Sequence, residues 1–185
     1  VDGIGVEINA ESAEMGKLQG VKILQKDISE FALNPQEIFD VVCNFQVVEH
    51  NADIYHFILS NIACLKPGGL LMMSVPDSSS LLNRNIMAHA LNLPPHHMSL
   101  WNKHTLSKLP TIYKNLRIKA IFHEPLQEYH FDLYCKEFFN TFIDRYWGWR
   151  SFIYRTGLNK VIRYSLKRIR PNLKGHTLLA VYQKI

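Results

Sequence analysis

The sequence is short of cysteine: Cys43, Cys64 and Cys135 are the only three in 185 residues, and no two form a CxxC pair. An odd, scattered set excludes a disulfide framework and a thiolate zinc site, and a reducing cytosol fits it best. Long apolar runs are also missing. No stretch approaches the ~18 to 20 residues that a membrane-spanning helix needs, and the opening VDGIGVEIN carries an acid where a signal peptide carries base. There is no internal repeat and no low-complexity segment. With 9 Gly, 8 Pro, 47% hydrophobic and 20% charged residues, the composition excludes collagen, coiled coil and disorder. A chain of this length buries roughly 70% of its unfolded surface, enough for one domain with a real core but cramped for two.

Acid is absent from one long stretch. Nine of the 21 Lys and Arg fall between Arg145 and Lys174, where no Asp or Glu occurs. Without that stretch, 12 bases face 16 acids, so the main body carries −4 although the whole chain carries +5. Basic character confined to one segment argues against a general nucleic-acid binder, and no nucleic-acid partner is expected.

What the sequence does have is strand and helix in alternation. Gly3 to Ile8 reads as a short β-branched strand, Ala10 to Leu18 as a helix closed by Gly20, and Val21 to Leu24 as a second strand. Phe39 to Phe45 is a nearly continuous apolar run, as in a parallel strand covered on both faces. Asp53 can cap a helix whose apolar positions run through Ile54, Phe57, Ile58, Ile62 and Leu65; Pro67-Gly68-Gly69 ends it, and Leu70 to Val75 is the next strand. Ser79 to Leu91 and Lys103 to Leu109 read as helices, Leu116 to His123 and Leu178 to Gln183 as strands. This order predicts one α/β domain over 1–185 with a doubly wound, Rossmann-like, mostly parallel sheet. An insert at about 126–173 interrupts the last two strands. In it Phe138, Phe139, Phe142, Ile143, Tyr146 and Trp147 form an aromatic stripe at helical spacing, and Val161, Ile162, Leu166 and Ile169 oppose Arg163, Lys167 and Arg170. The insert is expected to be an amphipathic helical cap.

Ligands of such sheets bind beyond the carboxyl ends of the strands, which directs attention to Glu7, Asp27, Asn44 to His50, and Pro76-Asp77. A carboxylate there can accept two hydrogen bonds from a ribose diol. Glu7 after one strand, Lys26-Asp27-Ile28 after the next, Phe39-Asp40-Val41-Val42 opening a third, then Glu49-His50 and Leu65-Lys66-Pro67-Gly68-Gly69 resemble the class I S-adenosylmethionine-dependent methyltransferases in order and spacing. The resemblance covers residues 1 to about 125, and His176 to Val181 is similar to the final antiparallel strand of that family. Pro94-Pro95-His96-His97-Met98-Ser99-Leu100-Trp101 further resembles a subgroup acting on small molecules in sugar, polysaccharide and quinone pathways.

The resemblance implies S-adenosyl-L-methionine as cofactor. Glu7, with Ile8 beside it, would hold the ribose, Asp27 and Ile28 the adenine, and Asn44, Phe45 and Gln46 the methionine end. It also implies an opening strand and glycine-rich turn, which Gly3 and Gly5 cannot supply because they lie within the strand carrying Glu7. That first strand and helix are missing here. The strand would sit between those ending at Glu7 and Asn44, and some 40 or more residues upstream of Val1 are expected to provide it.

Methyl transfer to a hydroxyl or amine needs a base, and His97, His96 and His50 are the expected catalytic residues, on loops that should cover the site. The adjacent histidines have no spaced carboxylate or thiol partner, so no metal is expected. The expected activity is methylation of a small molecule: a sugar, a polysaccharide precursor, a quinone or a lipid-linked acceptor. A nicotinamide oxidoreductase fits Glu49-His50 and the Leu65 to Gly69 turn poorly. The alternative is a non-catalytic methyltransferase-fold scaffold acting through the basic cap. Residues 145–174, with Tyr146, Trp147, Trp149, Phe152 and Tyr154, suit a lid over the acceptor or a peripheral contact with the inner membrane face; the protein is otherwise expected to be cytoplasmic.

Overall fold

A computed structural model describes residues 2–33, 38–83, 92–143 and 147–185. The elements alternate as β1 (Gly5–Glu7), α1 (Ala10–Leu18), β2 (Ile23–Gln25), α2 (Ile28–Leu33), β3 (Phe39–Phe45), α3 (Ile54–Ala63), β4 (Leu65–Pro76), α4 (Lys103–Ile112) and β5 (Leu116–Pro125). The insert then supplies α5 (Phe131–Phe142), α6 (Trp147–Arg155) and α7 (Leu158–Ile169) before β6 (Lys174–Lys184). Of the helix expected over Ser79 to Leu91, the described part holds a short 3-10 turn at Leu81–Asn83, and 84–91 lie outside the described residues.

Caps fix several of these boundaries. The Asn9 side chain accepts from Ser12 N at 2.9 Å to start α1, and Asp53 accepts from His56 N at 3.2 Å to start α3. At α4, Asn102 and Thr105 each bond the other's main-chain N–H at 2.9 Å, a reciprocal capping box. Leu65 was expected to finish a helix, but it pairs with Phe39 as the first residue of β4. Pairing resumes at Val41 with Leu70, so Lys66 to Gly69 form a bulge within the strand. Gly68 has φ +79°, and a Cβ on Gly69 would stand 3.0 Å from Lys66 O and 3.1 Å from Asp40 O, so both glycines answer to the turn.

The strands form two sheets among the described residues: parallel β1-β2, and a four-stranded sheet in the order β3-β4-β6-β5. β3 pairs parallel with β4, while β6 runs antiparallel between β4 and β5, as expected of the last strand. Along one face Leu71, Met73 and Val75 of β4 and Leu178, Ala180 and Tyr182 of β6 alternate inward, fully buried under Ile58 and Ile62 of α3 and Leu106 and Leu109 of α4. The Tyr182 hydroxyl donates to Leu106 O at 2.9 Å inside this core, so burial costs it no orphaned donor, and burial pushes its ionisation far up.

β3 corrects one expectation. It was read as covered on both faces, yet Val41 and Phe45 are exposed. They border a cleft of about 750 Å³ that β1 lines from the other side, together with Ile28, Phe31 and Asn61. β1 and β3 do not pair with each other, so the apolar run of β3 meets open space where a neighbour would cover it.

The insert has a core of its own. Leu126, Phe131, Cys135, Phe139, Ile143, Ile153 and Leu166 are buried together against Leu82. The aromatic stripe is not one helix, because α5 stops at Phe142 and α6 opens at Trp147; Tyr146 lies outside the described residues. The stripe also divides by depth: Phe139 and Ile143 are buried, whereas Phe142 is exposed. In α7, Leu166 is buried and Ile162 packs on the insert core, but Val161 and Ile169 are exposed, so only part of its apolar face is used. Arg163 pairs with Asp132 of α5 and lies 5.5 Å from the Phe131 ring centre, tying α7 to α5.

Candidate active site

Glu7 and Asp27 stand at the carboxyl ends of neighbouring parallel strands, since Glu7 pairs with Gln25 two residues before Asp27. Both carboxylates are partly engaged locally. Glu7 Oε1 accepts from Asn9 N at 2.7 Å, leaving Oε2 for a ligand, and Asp27 Oδ1 accepts from Ser29 N at 2.7 Å at the start of α2. Ile8 points outward, 69% exposed. Ile28 packs on the main core and also lines the cleft, as do Asn44 and Phe45. Asn44 is buried; its Nδ2 donates weakly to Asn61 Oδ1 at 3.4 Å, while its Oδ1 has no hydrogen-bond partner among the described residues. Gln46, just past β3, holds φ +55°, uncommon for a non-glycine residue, with its N–H on Ser74 O at 3.0 Å. The chain turns sharply there, and Gln46 lines a second pocket beside the first.

That second pocket, about 570 Å³, is walled by Phe45, Gln46, Phe122, His123, Tyr129 and Leu179 among others. Phe45 borders both cavities, which therefore adjoin at the end of β3. His123 Nδ1 lies 3.7 Å from Asp77 Oδ2, and the Asp77 carboxylate is almost wholly buried. Asp77 Oδ1 is already held by Ser79 N at 2.9 Å and Ser79 Oγ at 2.6 Å, which fixes the orientation of the carboxylate. Burial, the largest cause, and nearby Lys174 and Lys103 lower the His123 pKa, and Asp77 opposes them, so the imidazole is a neutral base near pH 7. Deeper in, His176 and His130 meet edge to face, ring centres 4.3 Å apart. Burial lowers both of their pKa values, with Glu124 pulling the other way. His123 and His130 carry no motif in the sequence. Their only signal was indirect: His123 falls near the carboxyl end of a predicted strand, beside Pro76-Asp77 at the end of another.

The expected catalytic histidines gather elsewhere. Glu49 and His50 form a 3-10 turn after β3, and Glu49 O accepts from Met98 N at 2.7 Å and Ser99 N at 3.3 Å, tying down the loop that carries His96 and His97. His50 Nδ1 lies 2.6 Å from His96 O. A carbonyl only accepts, so Nδ1 carries the proton and Nε2 is the free nitrogen. The His50 and His97 rings meet edge to face at 4.8 Å, while the His96 side chain points to solvent and contributes only its carbonyl. Burial is the main cause lowering the His97 pKa. None of these three lines the 570 Å³ pocket. Glu49 itself is 1% exposed, with neither carboxylate oxygen bonded to another described residue. Burial pushes its carboxyl up, and its own main chain and His50 pull it partway back.

Residues 1–110, more than half the chain, match the family described as methyltransferase domain. The chain belongs to the methyltransferase domain family. Among curated proteins, this methyltransferase-family chain is similar to the ubiquinone biosynthesis O-methyltransferase of Bradyrhizobium sp. (strain ORS 278), 35% identical over 92 residues, covering 48% of the chain and 34% of that protein. It thus spans about a third of the length of the curated relatives it matches. Its fold is similar to a SAM-dependent methyltransferase from Archaeoglobus fulgidus, with TM-score 0.59, 18% identity, and coverage of 100% of this chain and 76% of that one. It is also similar to the N-methyltransferase NodS from Bradyrhizobium japonicum WM9 in complex with S-adenosyl-l-homocysteine, with TM-score 0.53, 12% identity, and coverage of 98% and 65%. The doubly wound, Rossmann-like class read from the sequence is the observed one.

Proposed function

We propose that the chain takes part in S-adenosylmethionine-dependent methyl transfer to a hydroxyl of a small acceptor with an apolar or aromatic body. The observation that carries this reading is the pocket of about 570 Å³ at the carboxyl edge, walled by Phe45, Gln46 and His123, beside the strand ends at Glu7 and Asn44. The cofactor would lie across the ends of β1 and β3: Asn44 offers a buried oxygen without a partner among the described residues, suited to an ammonium group, and Glu7, outside the lining of the 750 Å³ cleft, offers a carboxylate oxygen suited to a ribose hydroxyl. When bound, the cofactor supplies a methyl group activated on sulfonium. Gln46 and Phe45 stand between the cofactor and the acceptor, and His123, whose Nδ1 lies 3.7 Å from Asp77, takes the acceptor's proton as the oxygen attacks. Phe122, Tyr129 and Leu179 give the acceptor's body an apolar wall. The O-methyltransferase relatives support oxygen as the nucleophile. The test is transfer of labelled methyl from S-adenosylmethionine to a panel of phenols, sugars and amines. Labelled phenols are expected; labelled amines alone would overturn the choice of oxygen, and no transfer with retained cofactor binding would favour a scaffold.

The outer face of the insert favours a second role. Trp149, Phe152 and Tyr164 are each more than half exposed beside the bases of an acid-free stretch, and no helix among the described residues is long and apolar enough to cross a membrane. The root of the insert, through Tyr129, walls the acceptor pocket, and its outer face is suited to an anionic membrane surface carrying a lipid-linked acceptor. Each base near such a surface contributes on the order of 1 kcal/mol, lost with salt. Co-sedimentation with anionic vesicles at low but not high salt is expected; protein remaining in solution at low salt leaves the insert as a lid alone.

A further inference from the structure

We infer that Glu49, His50 and His97 form a binding site for a first-row divalent metal ion of the zinc or manganese kind. One ligand atom from each residue lies within 4.8 Å of the others. The independent sign is Glu49, a carboxylate 1% exposed whose two oxygens meet no donor on another described residue. A charge buried in that way costs several kcal/mol unless a partner meets it, and the groups that share the cluster are two imidazole rings, which carry ligand nitrogens. A metal ion satisfies all three at once.

The surroundings are those of a ligand set. His50 Nδ1 is occupied by His96 O at 2.6 Å, which orients the ring and leaves Nε2 to coordinate, the usual arrangement of a carbonyl behind a metal-bound histidine. The loop with His97 is fastened to the Glu49 main chain through Met98 and Ser99, so the ligands that 47 positions separate in sequence are held together by backbone bonds. Coordination at ~2.0 to 2.1 Å draws the ligand atoms to roughly 3.3 Å from one another, a closure that the exposed His50 side chain can make. Two imidazoles and a carboxylate select zinc, manganese, cobalt or iron over magnesium or calcium. Three protein ligands leave a position open for an oxygen ligand, either water or a hydroxyl or carboxylate of a bound molecule.

This site does not depend on the methyl-transfer reading, and its test needs no turnover. Protein stripped with chelator is dialysed against Zn²⁺ and titrated with Co²⁺, for wild type, Glu49→Gln, His97→Gln and, as a control in the other histidine group, His176→Gln. Wild type and His176→Gln are expected to retain one equivalent of Zn²⁺ and to develop Co²⁺ absorption. Glu49→Gln and His97→Gln should bind at least ~100-fold more weakly, with metal-free melting temperatures no lower than wild type for Glu49→Gln. No retained metal in wild type, equal retention in Glu49→Gln and His97→Gln, or loss in His176→Gln alone would each overturn the assignment.

Discussion

His50 and His97 stand over a buried carboxylate that meets no donor on another described residue, whereas His123 stands beside one that Ser79 already holds. Both groups lie at the carboxyl edge of the same sheet, and both pair an acid with imidazole. The difference sets their chemistry. A carboxylate fixed by two donors beside a ring nitrogen suits the base we propose; one that meets no donor on another described residue suits the cation we propose. Residue type alone suggests the same role for all these histidines, and hydrogen-bond satisfaction separates them.

The largest effect should come from removing the histidine beside the carboxylate that Ser79 holds. His123→Ala is expected to lower turnover by ~10²- to 10⁴-fold with cofactor affinity unchanged, as for a base that acts only on the acceptor. Steady-state kinetics beside calorimetry would check this. Normal turnover in His123→Ala, with the loss found in metal-free His97→Ala, would exchange the roles of the two groups and restore the expectation drawn from the sequence.

The unsatisfied group should answer to metal as stability. At ~100 times its Kd an ion bound only by the folded state adds about 2.7 kcal/mol, which is roughly 5 to 10 °C in Tm for a protein of this size. Differential scanning calorimetry with Zn²⁺ should show that rise in wild type and none in Glu49→Gln.

A smaller effect should sharpen the comparison through pH. His123, His130 and His176 have folded pKa values below their ordinary value because burial disfavours the charged ring, while Asp77 and Glu124 partly oppose this and Lys174 and Lys103 reinforce it at His123. The folded state then binds fewer protons than the unfolded one. Stability is complete above about pH 6.5, the unfolded value, and falls as pH drops from there toward the folded values. Tm should decline between pH 7.5 and 5.5, and the decline should be shallower in His176→Gln. A flat profile in wild type would contradict the burial of these rings.

Local signals made much of the fold legible. The apolar run Phe39 to Phe45 gave the limits of β3, and Asp53 and Asn102 marked the helix starts. Where a residue's state depended on distant chain, reading failed. Leu65 fits a helical period, yet pairing with Phe39 makes it strand. Val41 and Phe45 looked covered, but among the described strands β3 pairs only with β4, and pairing cannot be read from a local run. In the candidate site, the positions of Glu7, Asp27 and Asn44 at strand ends were legible from local pattern. The nearness of His97 to Glu49 and of His123 to Asp77 was not, because each arises from a loop or strand pairing across more than 40 positions. The grouping of His97 with Glu49 and His50 was hidden for the same reason, and the burial of Glu49 has no sequence signature.

The claim beneath the role given to His123 is that this edge holds S-adenosylmethionine, and calorimetric titration with S-adenosylhomocysteine tests it most directly in wild type and Glu7→Ala. One saturable site is expected, weakened in Glu7→Ala by about 1.5 to 3 kcal/mol, the worth of a hydrogen bond to a charged group. That corresponds to roughly 10- to 150-fold in Kd. No saturable binding in wild type would contradict the account, and unchanged affinity in Glu7→Ala would remove Glu7 from the site.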